Sequence, residues 1–172
     1  MAKTGIDIVA KELDVKKLID MMNSALAEEW LAYYQYWVGA RLMEGPMRKE
    51  IESELLLHAD EELGHAVLLI DRIIQLGGTP VLSPFEWKTI AKCEYEAPKD
   101  PYIEVILEQN LRGERCAIAH YKALADYTVG KDHSTYQIAT QILADELEHE
   151  NDIMSFLTDI ERMKENLAKM RK

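Results

Sequence analysis

Two motifs in this chain place a histidine three residues after a glutamate, in the pairs Glu62/His65 and Glu146/His149. On a helix, residues three apart lie on one face, so the carboxylate and the imidazole of each pair can bind one divalent metal ion together. One such pair alone fits an ordinary solvated helix face. The chemical interpretation therefore depends on what accompanies the two pairs.

Each pair has a partner glutamate at a similar distance earlier in the chain. Glu29 stands 33 residues before Glu62, and Glu114 stands 32 residues before Glu146. Each half of the chain thus contains one lone glutamate and one glutamate–histidine pair. Seven residues after each lone glutamate, about two helical turns along the same face, stands a tyrosine: Tyr36 and Tyr121.

Helices are the elements that must position these groups, because glycine and proline are scarce and clustered and the sequence has no sustained alternating strand pattern. Asp14 is the expected N-cap of the first helix, and Gly77 is the expected C-cap of the second. The predicted helices cover residues 15–43, 47–76, 101–128 and 134–168.

The connections between these helices predict the topology. Short turns at Gly45-Pro46 and around Gly130 make two antiparallel hairpins. The crossover over residues 77–100 is long enough to run from one end of a bundle to the other, with room for a short helix between Pro84 and Lys92. We therefore predict an all-α four-helix bundle, a single domain over residues 1–172, in which a long crossover joins the two hairpins.

The inward-facing line of each predicted helix is apolar at both ends and ionisable in the middle. On the second helix, this line reads Ile51, Leu55, His58, Glu62, His65 and Leu69. Buried glutamates are costly unless a partner or a metal ion stabilises them, and four glutamates at the same depth cannot neutralise one another. We therefore expect metal cations, or protons, in the middle of the bundle.

The composition fits a soluble globular domain that attracts cations. Of the 172 residues, 48% are apolar and 30% are charged, and the formal net charge is −11. This charge disfavours nucleic acid as the main partner, since phosphate binding needs clustered basic residues. Because no apolar run is long enough for a membrane helix and Met1 to Gly5 contain no signal-peptide stretch, we expect a cytoplasmic protein.

These features together resemble the ferritin-like di-iron carboxylate proteins, over all four helices. The resemblance implies a ligand set like that of bacterioferritin, with two iron ions per subunit. In that arrangement the glutamates of the two pairs bridge the irons, and the lone glutamates and the histidines are terminal ligands. The six expected ligands are Glu29, Glu62, His65, Glu114, Glu146 and His149, with Tyr36 and Tyr121 beside them.

Two departures narrow the resemblance. Bacterioferritin binds haem through a methionine directly after the glutamate of its second helix, but Leu63 occupies that position here, so we predict no haem. The fourth helix runs almost to Lys172 with no fifth helix after it, as in the Dps family. This combination resembles the Dps-like thioferritins, which carry a cysteine pair near the centre. The resemblance implies that Cys93 and Cys116 form a redox-active pair; two ordinary buried thiols remain the alternative.

The function implied by the resemblance is iron storage and detoxification. A ferroxidase centre would oxidise Fe²⁺ with O₂ or hydrogen peroxide, and Fe³⁺ would be mineralised inside a homo-oligomeric shell, which we expect to have twelve subunits. Three alternatives remain open. They are a non-storage di-iron or di-manganese peroxidase of rubrerythrin or catalase type, a DNA-binding Dps-type protein, and a purely structural helical assembly.

Several residues outside the expected ligand set carry further expectations. We expect His58 to be a hydrogen-bonded histidine above the site rather than a metal ligand, and His120 and His133 to lie at the surface. The basic residues between Arg162 and Lys172 could contact DNA, but the net negative charge favours a solvated helix end. Aromatic residues on the first helix suggest a second buried face for subunit contacts: Trp30, Tyr33, Tyr34 and Trp37.

Overall fold

The computed structural model describes residues 5–9 and 11–170. The residues before Gly5, which entered the signal-peptide argument, and the last two basic residues of the tail lie outside this part of the chain. Within the described part, the α-helices are α1 (Gly5–Val9), α2 (Val15–Leu42), α3 (Arg48–Gln75), α4 (Trp87–Ile90), α5 (Ile103–Thr128) and α6 (His133–Met170).

The four long helices begin and end within two residues of their predicted bounds. α2 packs mainly against α3 and α5 mainly against α6, so the two predicted hairpins of an all-α bundle are confirmed. Both expected helix signals are present. The carboxylate of Asp14 accepts a hydrogen bond from the backbone N–H of Lys17 at 3.0 Å, and Gly77, just after α3, has a φ of +76° that favours glycine.

The crossover from α3 to α5 contains a short 3₁₀ turn at Pro84–Glu86 followed by α4, in the predicted place. The indole of Trp87 stacks on that of Trp30 with ring centroids 5.5 Å apart. The crossover therefore covers Trp30 within the same chain, which corrects the expectation that the whole aromatic face serves subunit contacts. Tyr34 and Trp37 remain substantially exposed.

The core consists of two apolar clusters with a polar layer between them. One cluster contains Leu18, Met22, Leu69, Leu124 and Ile142, and the other contains Ala40, Ile51, Leu55, Ile106 and Ile153. The ionisable residues predicted for the middle of the bundle lie between these clusters and are buried. Among the described helices, none has an apolar stretch that could cross a membrane.

Candidate metal centre

The six residues expected to bind metal come together in the polar layer, and we call them the central cluster. α2 and α5 each supply one glutamate, and α3 and α6 each supply a glutamate and a histidine one helical turn later. No member is more than 4% exposed. The central cluster consists of Glu29, Glu62, His65, Glu114, Glu146 and His149.

The donor atoms of the central cluster form two overlapping groups, each with ligand atoms within 4.8 Å of one another. The first group is Glu29, Glu62, His65 and Glu146, and the second is Glu62, Glu114, Glu146 and His149. Glu62 and Glu146 belong to both groups. This sharing is the arrangement that two carboxylates need in order to bridge two metal ions.

Each histidine points Nδ1 toward the middle of the cluster. Nδ1 of His65 lies 3.3–3.4 Å from carboxylate oxygens of Glu29, Glu62 and Glu146. Nδ1 of His149 lies 3.2–3.6 Å from carboxylate oxygens of Glu62, Glu114 and Glu146. The two halves of the chain thus supply equivalent donor sets.

Two carboxylates outside the cluster hold the other nitrogen of each ring, and neither was predicted from the sequence. Asp145 accepts a hydrogen bond from Nε2 of His65 at 3.2 Å, and Glu61 accepts one from Nε2 of His149 at 2.8 Å. Such partners fix the ring orientation and the tautomer of a metal-binding histidine. The available signal was the acidic residue directly before each shared glutamate, which makes both motifs acidic–Glu–x–x–His.

The two tyrosines beside the cluster bind the lone glutamates crosswise. The hydroxyl of Tyr36 on α2 donates to Glu114 on α5, and the hydroxyl of Tyr121 on α5 donates to Glu29 on α2. Burial, and then the nearby carboxylates, raise the pKa of both tyrosines well above its ordinary value, which keeps them as protonated donors. Each tyrosine leaves the second oxygen of its glutamate free to face the cluster.

The pKa shifts in the central cluster favour bound protons when no cation is present. Burial, followed by repulsion from Glu62 and Glu146, raises the pKa of Glu29 and Glu114 well above the ordinary glutamate value. Burial alone would lower the pKa of both histidines, but the glutamate carboxylates close to each ring raise it above the ordinary value. Burial opposes ionisation of Glu62 as well, yet the two imidazoles close to this carboxylate lower its pKa.

Several buried oxygen and nitrogen atoms of the cluster that could bind a metal make no hydrogen bond in the described chain. They are one carboxylate oxygen each of Glu29 and Glu114, both of Glu146, and Nδ1 of His149. An unsatisfied buried polar atom costs about 1–3 kcal/mol, so the arrangement is incomplete without a ligand. Carboxylate oxygens with one imidazole nitrogen per metal suit Fe²⁺ or Mn²⁺. The residues therefore fit a pair of divalent cations.

The three remaining histidines differ in how well they meet expectation. His58 is buried and stacks on His149 with ring centroids 4.0 Å apart, as expected of a residue above the site. Its expected hydrogen bonding is wrong, because neither ring nitrogen has a partner in the described chain. His133 is exposed as predicted. The surface position expected for His120 is wrong, because this side chain is only 4% exposed.

The crossover explains why His120 is buried. Nδ1 of His120 donates to the carboxylate of Glu28 at 2.6 Å. The same carboxylate accepts hydrogen bonds from the backbone N–H of Lys92 at 2.7 Å and from the hydroxyl of Ser24 at 3.3 Å. An outward-facing position on the bundle thus becomes an interior position where the crossover lies across it, beside Glu28.

The two cysteines join this crossover to α5. Cys93 and Cys116 form a disulfide, with their Cα atoms 5.7 Å apart. Cys93 also lines a cavity of about 40 Å³ whose other walls include the central carboxylates of Glu29, Glu62 and Glu114. The disulfide therefore lies across a small cavity from the central cluster.

Comparison with known proteins places this arrangement in a family. The model of the ferritin-like domain family matches residues 19–163, which take in most of all four long helices. The chain belongs to the ferritin-like family. The predicted resemblance and the predicted ferritin-like fold are therefore confirmed.

The relatives of this ferritin-like chain include both Dps-type and bacterioferritin-type proteins. It is 38% identical over 142 residues to the DNA protection during starvation protein of Pyrococcus furiosus. That match covers 80% of this chain and 75% of the relative. It is also similar to the structure of a dodecameric thioferritin, the bacterioferritin-related protein of Bacteroides fragilis. That match has 52% identity and a TM-score of 0.94, and covers 96% of this chain and 98% of the other.

A third similarity is to the bacterioferritin structure of Rhodobacter capsulatus, described with a metal-free dinuclear site and haem iron. Its TM-score is 0.72 at 27% identity, with 86% of this ferritin-like chain and 87% of the bacterioferritin chain covered. Leu63 stands where bacterioferritin has its haem-binding methionine, which is why we predict no haem. Its side chain is 38% exposed on α3.

Proposed function

We propose that this protein is a ferroxidase that stores iron, with Fe²⁺ as the substrate of the central cluster. The observation that carries the proposal is the sharing of Glu62 and Glu146 by two buried donor groups. Two Fe²⁺ ions bound there balance the charge of the four carboxylates. Storage proteins among the relatives, bacterioferritin and a thioferritin, support the same conclusion.

The oxidation that we propose is a two-electron reaction at paired ions. Two Fe²⁺ ions give one electron each, so that O₂ with two protons becomes H₂O₂, or H₂O₂ with two protons becomes two water molecules. Carboxylate oxygens are hard ligands that stabilise Fe³⁺ more than Fe²⁺, which favours this direction. Because Glu62 and Glu146 hold both ions side by side, one oxidant can accept both electrons without releasing a one-electron product.

The cavity between the central cluster and Cys93 gives the oxidant a place to enter. A water molecule needs about 10–15 Å³ of such space, and this cavity offers about 40 Å³. It therefore has room for a molecule of the size of O₂ or H₂O₂. Glu29, Glu62 and Glu114 line the cavity directly, so an oxidant inside it would lie next to the bound iron.

We propose that the iron product is collected in a closed homo-oligomeric shell of twelve subunits. The Bacteroides fragilis relative is a dodecamer, and Tyr34 and Trp37 on α2 are half-exposed aromatic residues of the kind that subunit contacts use. A cytoplasmic shell of this kind would remove Fe²⁺ and peroxide together. The Pyrococcus furiosus relative is named for DNA protection. We propose no such role for the present chain, because the net charge of this chain is −11.

Native size and iron content separate storage from a non-storage di-iron or di-manganese peroxidase. We would purify the protein, load it aerobically with excess Fe²⁺, and measure its mass by analytical ultracentrifugation and its iron per particle. A twelve-subunit particle with hundreds of iron ions is the expected result. A monomer or dimer that retains about two ions per chain would contradict storage and favour the peroxidase.

A further inference from the structure

A second group of potential metal ligands lies beside the central cluster and shares no residue with it. It consists of Glu54 and His58 on α3 and Asp152 on α6, and we call it the side cluster. One donor atom from each residue lies within 4.8 Å of the others. The imidazole of His58 stacks on that of His149, so the side cluster is next to the central cluster along the bundle axis.

The histidine of the side cluster is buried without a partner. His58 is 1% exposed, and neither ring nitrogen makes a hydrogen bond in the described chain. A buried polar group left in this state costs about 1–3 kcal/mol. This histidine therefore needs a ligand that the protein itself does not supply.

The distances in the side cluster suit metal ligands better than hydrogen bonds. Nε2 of His58 lies 3.7 Å from a carboxylate oxygen of Glu54 and 3.7 Å from one of Asp152. These separations are too long for hydrogen bonds. Two ligand atoms that each lie about 2.1 Å from a shared cation are separated by roughly 3.4–3.6 Å at ordinary coordination angles. A cation can therefore sit between these three side chains with only small rotamer adjustments.

The two carboxylates of the side cluster repel each other and lie partly open to solvent. Burial, and then repulsion from Asp152 and Glu61, raise the pKa of Glu54. The side chains of Glu54 and Asp152 are each about one-third exposed, at 34% and 33%. His58 therefore closes the inner side of the cluster, while the two carboxylates open it to solvent, from which a hydrated cation could enter.

We propose that Glu54, His58 and Asp152 form a third metal site that binds one divalent first-row cation such as Fe²⁺. One imidazole nitrogen and two carboxylate oxygens provide the mixed donor set that such cations prefer, and water completes the coordination from the open side. The site goes beyond the proposed ferroxidase activity. It requires none of the six residues of the central cluster, so the two sites can be emptied separately.

Cobalt binding to the full, metal-free oligomer tests this site without any measurement of iron oxidation. We expect wild-type protein to bind about three Co²⁺ per subunit, counted by equilibrium dialysis and elemental analysis. The double variant Glu54→Gln/Asp152→Asn should bind two, because it keeps His58 packed on His149 but replaces both charged carboxylates with neutral amides, which bind such cations far more weakly. Its matched control, Glu50→Gln/Asp159→Asn, removes two exposed carboxylates from the same helices and should still bind three.

The position of the third ion is tested by anomalous scattering from crystals grown with Co²⁺. A peak bonded to Nε2 of His58 is expected in the wild type and in Glu62→Ala, and no such peak is expected in the double variant. Two Co²⁺ per subunit in the wild type, or three in the double variant, would overturn the proposal while leaving the ferroxidase proposal intact. Loss of only the central ions in Glu62→Ala would show that the two sites are independent.

Discussion

Proton release on metal binding is a direct consequence of the charges in the central cluster. The surrounding glutamates raise the pKa of His65 and His149, which favours the imidazolium form of both rings when no metal is bound. The raised pKa of Glu29 and Glu114 favours a proton on each of these carboxyl groups as well. Metal coordination requires neutral imidazoles and ionised carboxylates. Two divalent cations would therefore replace up to about four protons in each subunit.

The size and the sign of the effect both follow from these pKa shifts. We expect about two protons from the histidines and up to about two more from Glu29 and Glu114 when two Zn²⁺ ions bind near pH 7. Since groups with a raised pKa compete with metal when protonated, affinity should fall as the pH is lowered. Each released proton weakens overall binding about tenfold per pH unit of acidification.

Isothermal titration calorimetry of the metal-free oligomer with Zn²⁺, in two buffers of different ionisation enthalpy, measures the number of protons released. Zn²⁺ is suitable because it cannot be oxidised. The Glu62→Ala variant is the control, and it should release far fewer protons because it lacks a ligand shared by both ions. Release of fewer than about one proton per subunit by the wild type, with two Zn²⁺ bound, would refute this description of the cluster.

Three further predictions concern groups around the cluster. Glu61→Gln should weaken metal affinity about 10–100-fold, because it replaces the carboxylate that orients His149; the measurement is Zn²⁺ titration. Arg72→Met should lower the free energy of unfolding by about 3–5 kcal/mol, because it leaves the fully buried Asp132 without its ion-pair partner; denaturant unfolding measures it. Reduced protein treated with peroxide should change from two free thiols per subunit to none, whereas Cys93→Ser should retain one.

Each of these three predictions has a clear contrary result. Wild-type Zn²⁺ affinity in Glu61→Gln would mean that the outer carboxylate does not position the ring. Unchanged stability of Arg72→Met would mean that the hydrogen bonds from Ser134 and Thr135 are enough to stabilise the Asp132 carboxylate. Two thiols that stay free after peroxide treatment would remove the redox role that the resemblance implies for Cys93 and Cys116.

The helices and the central cluster could be predicted from sequence because both depend on local spacing. Helix bounds followed from the positions of glycine and proline, and the shared face of Glu62 and His65 followed from their three-residue separation. The near-equal spacing in the two halves then indicated that four helices meet at one depth. All of these signals lie within one helix or one hairpin.

The features that could not be predicted from the sequence depend on contacts between distant segments. His120 was expected at the surface because it points away from the bundle centre, and only the path of the crossover places Glu28 and Lys92 against it. The hydrogen bond expected for His58 is absent from the described chain. The distance from its ring to the carboxylates on α3 and α6 depends on how these two helices are placed. The spacing of residues along the chain does not fix that distance.

The central claim is that two Fe²⁺ ions are oxidised together at a centre in which both ions share Glu62 and Glu146. Stopped-flow measurement of the oxidation of two Fe²⁺ per subunit by O₂ tests this claim most directly. Glu62→Ala should lose the fast phase entirely, and Glu50→Ala, an exposed site on the same helix, should retain it. Circular dichroism and native mass would establish that both variants fold and assemble. A fast phase of wild-type rate and amplitude in correctly assembled Glu62→Ala would contradict the shared centre.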